Sequence, residues 1–184
     1  MNAAAAGAII INVSANALLF VGGLIAWTFL EYVIHGWMSH TFRTFASPLH
    51  QVHHRDPRRV FTIHAWIPIA ATWFAGLALW GIEPGMFFYS GMVAGFVTYE
   101  FVHYRIHFVS PRSRFEAYLR ERHLVHHYRA PDRCFGVTNP FWDVVFRSGI
   151  ANSEMRSMRA TVAVTAPLAG PSNVRMLVPT RAMH

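Results

Sequence analysis

Three apolar stretches punctuate the first hundred residues of this chain. No charged side chain occurs from Met1 to Leu30, and Ala8 to Ile34 is dominated by Ile, Leu, Val, Ala, Phe and Trp. That length is enough to span a bilayer as a helix. A second uncharged run, Ala65 to Ile82, and a third, Pro84 to Tyr99, flank the breaker cluster Gly81-Ile82-Glu83-Pro84-Gly85. The pattern predicts membrane helices over about 8–34, 64–82 and 84–104, the last two forming a hairpin. A polar, histidine-rich cap then occupies 105–150, and residues 151–184, with Pro167, Gly170, Pro171 and Pro179, read as an irregular tail. A cleaved leader is the competing reading of the first run, but no Arg or Lys precedes it and the run exceeds a leader's usual apolar length.

Composition agrees with a membrane protein: 53% of residues are hydrophobic and only 14% charged. The formal charge of +7 comes from sixteen arginines and no lysine. Arg43, Arg55, Arg58, Arg59, Arg105, Arg112, Arg114, Arg120 and Arg122 flank the polar ends of the apolar runs, whereas the hairpin turn carries only Glu83. By the positive-inside rule the arginine-rich side is cytoplasmic. This basic collar fits anionic headgroups, and no nucleic-acid-binding module is present. The lone cysteine, Cys134, excludes a disulfide framework and any cysteine-based zinc or iron–sulfur site.

Twelve histidines remain to be explained, and ten fall into four groups. These are His35-x4-His40, His50-x2-His53-His54, His103-x3-His107 and His123-x2-His126-His127. Helix positions i, i+3 and i+4 share a face, so each His-x-x-His-His box is expected to turn two or three imidazoles into one cavity. His35 and His40 stand about 140° apart on a continuous α-helix, so Gly36 or a helix end must help them meet. Packing so many imidazoles together without metal would strand polar groups or accumulate charge, and a metal removes both problems by binding the neutral ring. Ten donors exceed one first-row ion and suit two, with open positions for oxygen or substrate, which points to a dinuclear catalytic centre. Imidazole suits iron, zinc, copper and nickel alike, so ligand type does not select the metal.

Glu31, four residues before His35, and Glu100, three before His103, are candidates to orient those rings by accepting the second ring N–H. Tyr99, Tyr104 and Tyr128 lie beside ligand positions but read as interfacial tyrosines. His64 and His184 fall outside the groups and read as interface and tail residues. A non-enzymatic membrane carrier of metal or haem is disfavoured, because haem needs one or two axial histidines and a transporter places its ligands near the midplane. A zinc hydrolase would usually show His-Glu-x-x-His, which is absent.

The ordered boxes, followed by His126-His127-Tyr128-Arg129-Ala130-Pro131-Asp132-Arg133-Cys134-Phe135-Gly136-Val137-Thr138 and Asn139-Pro140-Phe141-Trp142-Asp143-Val144-Val145-Phe146, resemble the fatty acid hydroxylase / sterol desaturase superfamily over about residues 31–148. His103-Tyr104-x2-His107 and the ending look most like its fatty acid 2-hydroxylase branch. The resemblance implies an all-α, multi-pass membrane bundle whose cytoplasmic cap closes over two metal ions, iron in the working enzyme with zinc as an alternative occupant. It implies an O2-dependent oxidoreductase that hydroxylates a lipid C–H bond, on a fatty acyl chain before a sterol or carotenoid. It also implies a separate ferredoxin- or cytochrome-type electron donor and a role for Trp142 and Asp143 in packing the cap.

Overall fold

The computed structural model describes residues 3–165 except 43, 62–69, 72, 76 and 79–81. Every regular element among the described residues is helical. Helix α1 spans Ala3–Tyr32 and runs on without a break into a π-helical segment, Val33–Thr41. After a short turn come α2, Ala46–Arg55, and, beyond the described helical residues within 70–78, α3, Ile82–Phe108. Helices α4, Arg114–Tyr128, α5, Phe141–Val145, and α6, Asn152–Thr165, complete the order.

Three boundaries differ from the sequence expectation. The first helix reaches Thr41 rather than residue 34, because the π-helical segment carries it on. Helix α3 begins at Ile82, so Glu83, Pro84 and Gly85 lie in its first turn, where a proline lacks no hydrogen bond the helix needs. The region after 151 is not irregular throughout: α6 occupies 152–165, and its Met155 packs with Val125, Ala130, Cys134 and Ile150 in a buried cluster. Most of the expected second helix, together with His64 and His184, lies outside the described residues.

The span Val13–Thr41 is the one helix among the described residues that is long and apolar enough to cross a membrane. It packs along α3 through small residues. A Cβ on Gly23 would strike the carbonyl of Phe88, and one on Gly91 the carbonyl of Phe20, so the two backbones meet where neither has a side chain. Further along the same seam Trp27 lies edge-on to Phe96 at 5.1 Å. Trp73 makes a similar contact with Tyr89 at 5.8 Å.

Helix α4 returns from α3 through a short link fixed at both ends. Ser113 caps it by accepting the N–H of Glu116 at 3.1 Å, and the Glu116 carboxylate reaches back to the N–H of Arg112 and to the Arg105 guanidinium. This Ser-x-x-Glu arrangement satisfies the otherwise free donors of the first turn. Ile106, Leu119 and Val137 fill the space between α3, α4 and the loop that follows.

The glycine seam gives a direct test. Gly23→Ala or Gly91→Ala should destabilise the chain by about 1–3 kcal/mol by forcing α1 and α3 apart. Gly22→Ala, whose Cβ would make an ordinary 3.8 Å contact with the Phe88 ring, should be tolerated. Thermal unfolding in detergent reads the difference.

Candidate metal centre

The ten boxed histidines converge into two adjacent groups of five. One holds His35, His40, His50, His54 and His126; the other holds His53, His103, His107, His123 and His127. In each, the ligating atoms offered lie within 4.8 Å of one another. Each His-x-x-His-His box turns two imidazoles into one group, within the expectation from its spacing, and sends the third to the other group. Within α2, His50 and His54 point to the first group and His53 to the second; within α4, His123 and His127 point to the second and His126 to the first. Residues i and i+4 sit about 40° apart on a helix, while the residue between them in the box is about 100° from its neighbour, so one box feeds two sites.

His35 and His40 meet through the π-helical segment. Its backbone pairs i with i+5, as in Phe42 N–H to Trp37 O, and the hydroxyls of Ser39 and Thr41 donate to the carbonyls of Ile34 and Gly36 five residues back. A five-residue repeat brings two histidines five apart to one side, where an α-helix would separate them. Their rings stand 5.6 Å apart. Gly36 contributes differently from the expectation, since a side chain there would collide with the Phe135 ring.

Hydrogen bonds fix the state of two of these rings. The Nδ1 of His35 lies 2.6 Å from the carbonyl oxygen of Phe135, and the Nδ1 of His126 lies 2.8 Å from that of Arg133. A carbonyl only accepts, so both Nδ1 atoms carry the proton and both neutral rings present an Nε2 lone pair. Those two Nε2 atoms are 3.0 Å apart. Two lone pairs at that distance repel unless a cation lies between them. In the second group the Nε2 atoms of His103, His107 and His123 form a triangle with sides of 3.0, 3.0 and 3.3 Å. A single ring nitrogen either donates or accepts, so three of them cannot satisfy all three sides by hydrogen bonding.

An ion resolves both conflicts. Imidazole nitrogens bound at about 2.0–2.1 Å to one ion stand about 3.0–3.4 Å apart at neighbouring positions, which matches these separations. Buried ring nitrogens without a hydrogen-bond partner among the described residues, His40 Nε2 and His53 Nε2, belong to the same groups. The residues present therefore fit metal ions bound by neutral imidazole. Burial, the largest influence on each, also pushes the rings outside the membrane helices towards neutrality: His53 down to about 4, His54 to about 3, and His123, His126 and His127 well below 6.5.

The two glutamates act otherwise than expected. Glu31 is buried, but it binds no imidazole; one oxygen accepts the N–H groups of Val137 and Thr138 at 2.7 and 2.9 Å, and the other accepts the Thr138 hydroxyl at 2.6 Å. Glu100 is buried with its Oε2 unpartnered, and it accepts no imidazole N–H among the described contacts. Tyr99 stacks obliquely on the His103 ring at 5.4 Å, while Tyr104 faces outward against Phe61 and Phe108.

Sequence reasoning gave Asp143 only a packing role, but it organises the loop that supplies both carbonyls. Fully buried, it accepts the N–H groups of Phe135 and Gly136 at 2.8 and 3.0 Å, the Ser148 hydroxyl at 2.7 Å and the Arg122 guanidinium at 2.7 Å. Trp142 donates to Thr28 at 3.0 Å and packs on Phe29 at 4.8 Å, which ties α5 to α1.

Among the described residues the protein is all-helical, with one apolar helix long enough to cross a membrane and paired five-histidine groups able to hold metal ions. Residues 20–148 match the family model for fatty acid hydroxylase, and the chain belongs to that family. It is 32% identical over 147 residues to the dihydroceramide fatty acyl 2-hydroxylase FAH1 of Arabidopsis thaliana, covering 70% of this chain and 59% of that protein. It is 33% identical over 145 residues to the fatty acid 2-hydroxylase of Mus musculus, covering 71% and 39%. The solved structure of full-length scs7p, in which only the hydroxylase domain is visible, superposes with a TM-score of 0.67 at 30% identity over 76% of this chain and 57% of that one. The chain thus spans 59% or less of the length of these relatives.

Two outcomes test the site. Asp143→Ala leaves the buried Arg122 without its counter-charge and should cost about 3–5 kcal/mol, seen as a lowered unfolding midpoint. For the metal-free chain, His53 and His54 are held neutral when folded, with values near 4 and 3, but take up protons near 6.5 when unfolded. The stability these two rings contribute is therefore full above about pH 6.5 and is lost progressively as pH falls through their folded values near 4 and 3. Denaturant titrations at a series of pH values check the sign.

Proposed function

We propose that this protein is an O2-dependent di-iron monooxygenase that hydroxylates a lipid fatty acyl chain. The observation that carries the reading is the pair of fixed lone pairs on His35 and His126, 3.0 Å apart and stable only around a cation. The ligands are His35, His40, His50, His54 and His126 for one ion and His53, His103, His107, His123 and His127 for the other. Bound iron would supply the oxidising chemistry, in which O2, two electrons and two protons place one oxygen atom in a C–H bond and release the other as water. The chain itself keeps the rings neutral by burial, aims two of them with backbone carbonyls, and seals the second group from water.

Membrane placement follows from the same elements. Helix α1 crosses the bilayer, α3 packs along it as a second pass although it falls short of the combined length and apolarity that mark α1, and the histidine end faces the cytoplasm, which the exposed Arg55, Arg58, Arg59, Arg129 and Arg133 around it support. An acyl chain lying in the bilayer then reaches the ligands at the membrane edge without leaving lipid. The names of the relatives, acyl 2-hydroxylases, point to the carbon next to the carboxyl carbon. Electrons come from a separate ferredoxin- or cytochrome-type protein.

Lipid mass spectrometry of cells expressing the chain, grown with labelled O2 and compared with the His126→Ala variant, tests this. One labelled oxygen in an acyl chain, lost to background in the variant, is the expected result. Equal lipid profiles, or label retained in the variant, would sink the proposal.

A further inference from the structure

The two histidine groups are enclosed differently. In the group of His35 and His126 the other three rings, His40, His50 and His54, are half-buried; in the other group all five are buried. They are also supported differently. His35 and His126 are aimed by carbonyls of the loop segment 133–135, whereas the Nδ1 atoms of His103, His123 and His127 are buried without partners among the described residues. Tyr32 of α1 packs edge-on against the Phe135 ring at 5.8 Å, and the hydrogen bonds between α1 and the loop are made by Glu31. Glu31 takes three hydrogen bonds from Val137 and Thr138, one helical turn before His35 takes its bond to Phe135.

We propose that the two sites exchange metal independently, that the His35 site is the labile one, and that Glu31 is a positioning residue governing release from that site alone. The inference rests on reading the ten histidines as metal ligands. An ion leaves when water or a chelator replaces its ligands one at a time, and half-exposed rings admit such a competitor. A site with no exposed ring releases its ion only when α2, α3 and α4 part, which is a local unfolding event. Retention at the exposed site depends on how firmly His35 and His126 are aimed. Glu31 sets this because it holds residues 137–138 on the helix that carries His35, and so holds the Phe135 carbonyl against the His35 ring. Loss of an outer hydrogen-bonding partner of a ligand typically weakens metal binding about 10–100-fold.

The test loads the full chain, purified in detergent, with zinc, adds excess EDTA, and follows metal per chain over time. Two phases of about one equivalent each are expected, with His50→Ala removing the fast phase and His107→Ala the slow one. Glu31→Ala should speed the fast phase about 10–100-fold and leave the slow rate unchanged. Glu31→Gln, which keeps an acceptor oxygen for the Val137 and Thr138 N–H groups, should restore most of the retention. Release of two equivalents in one phase overturns this inference and leaves the metal-centre reading intact. So does equal acceleration of both phases by Glu31→Ala, the signature of a general loss of packing. A chain that takes up no zinc overturns the metal-centre reading, and this one with it.

Discussion

Two neutral imidazoles cannot face each other lone pair to lone pair at 3.0 Å without a cation between them, and the fold holds His35 and His126 in that relation from positions 91 residues apart. The arrangement has to be imposed, because a chain free to relax would turn the rings apart or let one pick up a proton. Burial opposes protonation, and the backbone carbonyls of Phe135 and Arg133 oppose rotation. The helices carrying the rings are held in turn by contacts remote from them, above all the glycine seam between α1 and α3.

The non-helical stretch between α4 and α5 is as tightly specified as any helix. Its backbone donors end on two buried carboxylates: Phe135 and Gly136 on Asp143, and Val137 and Thr138 on Glu31. Four consecutive N–H groups with buried acceptors leave the segment little freedom, which explains how a loop can aim two rings. Asp143 also meets Arg122 from α4, so the loop, α4 and, through Glu31, α1 share one polar knot.

Much of this was legible in the sequence. Apolar runs located α1 and α3, and the spacing of four histidine groups identified ten candidate donors, enough for two ions. Two imidazoles of each His-x-x-His-His box share a group as expected; the destination of the third was left open, although the 100° step between His53 and His54 separates them. The π-helical segment was not legible, because no apolar or polar repeat in Val33–Thr41 marks a five-residue pairing and the ring of Phe135, which meets Gly36, lies far along the chain. The partners of Glu31 were hidden by distance along the chain, since residues 106 and 107 positions away supply its donors, whereas those of Asp143 lie near in sequence but in a stretch without a regular repeat. Prolines and glycine beyond residue 165 mask α6 in the sequence, although Glu154 in its first turn is an ordinary helix-start signal.

The division of each box between two sites has a mechanical meaning. Helices α2 and α4 both carry ligands for both groups, so the distance between the two sites is written into the rigid pitch of single helices and not into the docking of one helix on another. Sliding or rolling either helix moves donors at both places together. The separation of the pair is thereby protected from small shifts in helix docking, and such adjustment is left to the surfaces that carry no ligand.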